Sequence, residues 1–108
     1  MTARVLYVDN DMRLEVSGLR DLDGNYLNSA TVSATIYDSL GVAVAGQSWP
    51  LNLAYVLLSN GIYRGIIDDG AGFIDGKEYT IVIEATYSGN KAKWTLTAPA
   101  QIRNRWSV

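Results

Sequence analysis

The sequence predicts an all-β fold, a single β-sandwich of about seven antiparallel strands. Short runs of alternating apolar and polar residues are separated by turn-forming residues at roughly 8–12-residue spacing, and no stretch has a convincing helical periodicity. The strand-like runs are 4–8, 12–16, 31–37, 42–44, 49–58, 62–67, 79–87 and 92–97. Short strands with turns at this spacing are typical of sandwiches.

The first half of the chain contains the clearest alternation, in residues 31–37. Val32, Ala34 and Ile36 fall on one face, and hydroxyl side chains and Tyr37 fall on the other. A turn at 38–41 leads into the short run after it. We therefore expect these two runs to form a hairpin.

Residues 49–58 are the most apolar segment. Pro50 cannot donate a hydrogen bond to a sheet, which places it at the start of a strand or on an edge. The alternation after it places four side chains on one face: Leu51, Leu53, Tyr55 and Leu57. Further along, 79–87 is the longest regular strand, Trp94 is expected in the core, and Pro99 is expected to end the regular structure.

One motif is more specific than the periodicity. Phe73 and Ile74 lead into a turn at Gly76, and Tyr79 then opens an alternating strand. This order resembles the tyrosine corner of immunoglobulin-like and fibronectin-type sandwiches, in which the tyrosine hydroxyl bonds to backbone a few residues upstream. The resemblance implies a structural role for Phe73, Gly76 and Tyr79.

Two further segments extend the resemblance. Residues 31–44 resemble the strand-turn-strand of bacterial and viral immunoglobulin-like modules, and residues 60–65 resemble their Gly-x-Tyr strand opening. The chain is similar to small stand-alone immunoglobulin-like proteins of bacteriophage and prophage structural gene clusters. Residues 1–101 would then form the sandwich and 102–108 a basic tail. Two features depart from the pattern: the cysteine pair of antibody domains is missing, and residues 1–30 match no part of it.

Most catalytic arrangements are excluded by composition. The 108 residues include no histidine and no cysteine, so a Ser-His-Asp triad, a thiol nucleophile and a histidine or cysteine metal site cannot be built. Asp68 and Asp69 are the candidate carboxylate pair for glycoside hydrolysis. Neighbouring residues at the end of a strand usually point in opposite directions, however. We expect no enzymatic activity and no cofactor.

The aspartate-rich loops raise the question of calcium, which takes six to eight oxygen ligands. Such residues occur in segments 9–11, 21–25 and 68–69. The second segment resembles the opening of an EF-hand loop, but Tyr26 and Val32 stand where that loop needs its glycine and its glutamate. Because Asp and Asn also form turns with their own backbone, we expect ordinary turns and no metal.

The net charge of −2 favours neither nucleic acid nor membrane as a partner, but the charges are divided unevenly. Residues 1–88 hold all 11 acidic residues and have a net charge of −6, whereas 89–108 have +4. The simple interpretation is a solvated last strand and tail. The alternative is a subunit whose basic tail meets an acidic patch on a neighbour, with Arg103, Arg105, Trp106 and Trp49 as the candidate partner interface.

Two functional hypotheses follow. The resemblance implies a non-enzymatic virion-associated structural or assembly protein, made in the cytoplasm and incorporated into a virion, that contacts other virion proteins or itself. The alternative is a carbohydrate- or cell-surface-binding module that uses Trp49, Tyr55 or the aspartate-rich loops. The lack of cysteine and of a signal-peptide-like apolar stretch at the N-terminus favours the first.

Overall fold

Seven β-strands form the regular structure of the residues that the computed structural model describes, 6–8 and 11–102. They are β1 (Leu6–Val8), β2 (Met12–Val16), β3 (Thr31–Tyr37), β4 (Leu51–Tyr55), β5 (Tyr63–Ile67), β6 (Glu78–Tyr87) and β7 (Asn90–Ile102). The prediction of an all-β fold with about seven strands is confirmed. Within the described residues, no helix is long and apolar enough to cross a membrane.

The strands form one continuous mixed sheet in the order β1-β7-β6-β3-β4-β5-β2. Strand β4 joins the two parts of the sheet, because its residues 51–53 pair with β3 whereas its residues 54–55 pair with β5. The sheet curls until its two edge strands, β1 and β2, approach each other, and the Tyr7 N–H donates to the Met12 Sδ at 2.8 Å. This curvature lets a single sheet enclose a core.

The core follows from the alternation of the central strands. In β3, Val32, Ala34 and Ile36 are buried, and they face buried residues of β6 such as Ile81 and Ile83. Each fully buried aliphatic side chain of this kind contributes about 1.5–3 kcal/mol. Across the sheet, the Glu15–Arg64 ion pair links β2 to β5, and the Arg64 hydrogen bond holds the pKa of Glu15 below its ordinary value.

The expectation that every strand pair is antiparallel is wrong for one pair. Strand β1 runs parallel to the end of β7, with Leu6 opposite Ala100 and Val8 opposite Ile102. Strand β7 therefore continues past Pro99, where we expected regular structure to end. Pro99 forms the last rung with Glu78, and Ala100 resumes the bonding by donating its N–H to the Lys77 carbonyl.

Two other expectations need correction. Residues 42–44 do not form a full strand, although they do turn back along β3: Tyr37 and Ala43 form an antiparallel bridge, and the Val44 N–H donates to the Ile36 carbonyl. The chain then turns away to bond with the loop before β6. The apolar run 49–58 yields only the five residues of β4. Leu57 therefore does not share the buried face of Leu53, because the chain has already entered a turn.

Candidate functional site

The two ends of the sheet are built from different loops. One end contains the loops 17–30 and 56–62 and the turn 88–89; we call it the leucine end. The other contains residue 11 and the loops 38–50 and 68–77; we call it the acidic end. Strand pairing assigns these positions, since Val16 lies opposite Tyr63, and Met12 opposite Ile67.

The leucine end presents three leucines to solvent. Leu22 is 105% exposed, Leu57 83% and Leu58 102%. Leu22 lies at the tip of a small ribbon in which Arg20 and Tyr26 form an isolated bridge. Exposed apolar residues scattered singly over a surface need no explanation, but several at one end of a module indicate a contact surface.

The loop that carries Leu57 and Leu58 is held firmly. The Val56 N–H donates to the Ile62 carbonyl at 2.8 Å, and the Ser59 N–H donates to the Val56 carbonyl at 3.1 Å. The Tyr55 hydroxyl donates to the Ser59 carbonyl at 2.6 Å, which closes the turn from the side of β4. The backbone beneath the two leucines is therefore fixed at several points.

The same loop is bonded to loop 17–30. The Leu19 N–H donates to the Gly61 carbonyl at 3.0 Å, and the Gly61 N–H donates to the Asn28 Oδ1 at 2.8 Å. A Cβ on Gly61 would lie 2.6 Å from the backbone of Leu19, so only glycine permits this approach. The Tyr63 hydroxyl adds two bonds, accepting from the Ala30 N–H and donating to the Leu27 carbonyl. Both leucine-bearing loops thus form one unit on the sheet.

The acidic end is tied together in a similar way. The Gly72 N–H donates to the Ala45 carbonyl at 2.8 Å, and the Asp68 N–H donates to the Gln47 Oε1 at 2.7 Å. Its exposed apolar side chains are Leu40, Val42 and Ile74. Asp11 and the loops of this end carry five aspartates and one lysine, a net charge of −4, whereas the loops of the leucine end carry Arg20, Asp21 and Asp23, a net charge of −1.

Three carboxylates of the acidic end lie close together. Oxygens of Asp11, Asp68 and Asp69 are all within 4.8 Å of one another on the exposed surface. One Asp11 oxygen accepts the Asp69 N–H, and one Asp68 oxygen accepts the Gly70 N–H. The Gly70 bond and a bond from Asp69 lower the pKa of Asp68. Asp11 and Asp68 thus each use one carboxylate oxygen on a backbone N–H, and exposed acidic groups of this kind are common without an ion.

Two loop aspartates, Asp21 and Asp38, form turns with their own backbone. Asp21 Oδ1 accepts the N–H groups of Asp23 and Asn25, and Asp38 Oδ1 accepts those of Leu40 and Val42. These are the bonds of Asx turns. They give Asp21 and Asp38 a structural role in their own turns.

The three residues of the tyrosine motif lie together. Tyr79 is buried, and its hydroxyl accepts the Ile74 N–H at 2.8 Å. The Phe73 ring packs edge-on against Tyr79 with 5.1 Å between centroids, and the Gly76 N–H donates to the Ala100 carbonyl. The hydroxyl therefore holds the chain that enters β6.

The Trp49 side chain packs and hydrogen-bonds within its own chain. This residue is half-buried against the core, and its Nε1–H donates to the Val44 carbonyl at 2.7 Å. Trp94 is also half-buried and packs on the core. The other members of the proposed partner interface, Arg103, Arg105 and Trp106, lie outside the described residues.

Leu22 and Leu58 were not singled out from the sequence, and Leu57 was predicted to share one face with Leu51, Leu53 and Tyr55. The sequence nevertheless contains an indication of exposure in both segments. Leu22 stands alone among turn-forming residues, and two adjacent leucines directly before Ser59 cannot both face a core from an extended strand. Comparison with protein-family models, curated proteins and solved structures gave no match to this chain.

Proposed function

We propose that this protein is a non-enzymatic structural or assembly protein of the phage or prophage virion type, acting through protein–protein contacts at its leucine end. The observation that carries the proposal is the group of three exposed leucines on two mutually bonded loops. Binding at such a surface costs less entropy when the loops that carry the apolar side chains are already fixed before the partner arrives.

The proposal includes an immunoglobulin-like sandwich as the framework. Support comes from the pairing order, in which β3, β6 and β7 are neighbours on one side and β2, β5 and β4 on the other, as in the two sheets of that fold. The bond from the Ile74 N–H to the Tyr79 hydroxyl, near the start of β6, is further support. The virion assignment itself rests on the resemblance of segments 31–44, 60–65 and 73–79.

The carbohydrate-binding alternative receives less support from the described residues. It used Trp49, Tyr55 or the aspartate-rich loops as the binding surface, and Trp49 and Tyr55 were its aromatic platforms. Both are half-buried, and each uses its polar group in a bond to its own chain. We therefore keep the assembly function as the proposal.

Photo-crosslinking in the producing cells tests the proposed function. A photoreactive phenylalanine analogue replaces Leu58 in one variant and Leu40, which is 86% exposed at the acidic end, in a matched control. We expect discrete adducts from position 58 with proteins of an assembled particle and few from position 40. Adducts that form equally at both positions, or only at 40, would contradict the proposal.

A further inference from the structure

We propose that the leucine end binds a second copy of this chain, forming a twofold, end-to-end dimer. The inference rests on the proposed function in one respect, that this end is a contact surface. It adds the identity of the partner and the symmetry of the contact.

The first step is the conformation of Leu58. Its φ is +64°, a left-handed conformation that glycine or asparagine adopts at less cost. The side chain is fully exposed, so it makes no contact within its own chain that would offset this strain. Strain retained at an exposed apolar residue indicates a role outside the chain.

The second step is the charge of the two ends. The acidic end carries −4, so two copies that approach through it repel each other. Among the described residues, a head-to-tail approach brings −1 against −4 and also gains nothing from charge. At the leucine end, the Arg20 guanidinium lies over the Tyr26 ring and donates to its hydroxyl, on the same ribbon that carries Asp21 and Asp23. A twofold axis can therefore place each arginine near the partner's aspartates while leucine meets leucine.

The third step is the size of the contact. Strand β7, 13 residues long, spans about 43 Å. The 51 Å axis of the molecule therefore follows the strands, and an end measures 29 × 21 Å. Each copy can then bury on the order of 500 Å², less than the ~800 Å² per partner of a standard interface. We infer a weak dimer, populated at high local concentration such as that of an assembling particle.

Sedimentation velocity from micromolar to millimolar concentration tests the dimer. The wild-type mass is expected to rise toward that of two chains and to stop there. The variant Leu57→Ser/Leu58→Ser is expected to raise the dissociation constant at least tenfold. The control Leu40→Ser/Val42→Ser removes exposed apolar side chains at the acidic end and is expected to leave the constant unchanged.

Site-specific crosslinking tests the symmetry, because the chain contains no cysteine. Asp23→Cys, at the leucine end, is expected to give crosslinked dimers with a short bifunctional reagent, whereas Ser39→Cys, at the acidic end, is expected to give few. A wild-type protein that stays monomeric at millimolar concentration overturns the inference. So does a mass that grows beyond two chains, or a dimer that the leucine variant does not weaken.

The two proposals fail differently. A monomeric protein that still gives adducts at position 58 with another particle protein would overturn the self-contact and leave the proposed function in place. A dimer in solution with no position-dependent adducts in cells would support the self-contact and contradict the proposed function.

Discussion

Leu58 is the residue at which stability and function are expected to conflict. In the turn 56–59 it occupies the third position with positive φ, where glycine is the usual residue. Leu58→Gly should raise the free energy of unfolding by about 0.5–1 kcal/mol, since relief of strain exceeds the entropy that glycine adds to the unfolded chain. Urea unfolding measures this change.

Leu57→Gly is the matched control for that prediction. Leu57 is similarly exposed but is not among the residues of positive φ, so glycine there should be neutral or destabilising. The same two variants should both weaken the dimer, because each removes an apolar side chain from the leucine end. Equal stabilities of the two glycine variants would show that position 58 is not strained.

At the same scale, the exposure of a loop residue could not be predicted from its neighbours in sequence. The turn residues of 21–25 and 59–61 were evident, but not the bonds from Asn28 and Leu19 to Gly61 that join the two loops. These bonds link residues more than 30 positions apart. Buried residues were easier to predict from the sequence, because Val32, Ala34 and Ile36 follow the strict alternation of β3.

At the scale of elements, two tyrosines connect strands to loops, and their hydroxyls differ in the number of bonds they make. The Tyr63 hydroxyl on β5 bonds to Ala30 and Leu27, whereas the Tyr79 hydroxyl on β6 accepts one N–H, from Ile74. Tyr63→Phe should therefore cost about 2 kcal/mol and Tyr79→Phe about 1 kcal/mol, since each leaves part-buried backbone groups without a partner.

Chemical denaturation of both variants checks this order, and amide hydrogen exchange localises the effect. Exchange should accelerate at Ala30 in the first variant and at Ile74 in the second, with little change at the other site. If Tyr79→Phe were as stable as wild type, the hydroxyl would not hold the entry to β6.

The errors in element boundaries share one cause. Pro50 and Pro99 were both assigned to strand limits from the missing N–H. That rule predicted β4 well, since the strand begins at Leu51, but it failed for β7. Ala100 continues the bonds on the β6 side, donating its N–H to the Lys77 carbonyl and accepting the Gly76 N–H, so the N–H missing from Pro99 would face the other edge of β7 and no bond to β6 is lost. Parallel pairing depends on which distant strands meet, and local periodicity does not carry that information.

For the whole molecule, charge is distributed unevenly along the long axis, whereas exposed apolar side chains lie at both ends. The leucine end is nearly neutral, and the opposite end is acidic. Strand β7 ends at Ile102, opposite Val8, so the chain enters its basic segment 103–108 from the acidic end. A contact between that segment and a neighbour's aspartates would be held by charge, whereas a contact between leucine ends would be held by burial.

Salt therefore separates these two modes of association. The Debye length falls from about 10 Å at 0.1 M to about 3 Å at 1 M salt, which screens exposed charge pairs and leaves apolar burial intact. We expect the dissociation constant of the dimer to stay within about twofold over this range. A chain that stops after Ile102 should dimerise as well as the full chain. Sedimentation equilibrium in sodium chloride measures both.

The opposite result would identify the basic segment as the contact. In that case the dissociation constant would rise at least tenfold between the two salt concentrations, and the shortened chain would be monomeric. Leu57→Ser/Leu58→Ser would then associate normally, since its substitutions lie at the far end of the sheet from Ile102. Because salt and truncation weaken a charge contact but leave an apolar contact intact, the full and shortened chains at two salt concentrations distinguish which end of the molecule makes the contact.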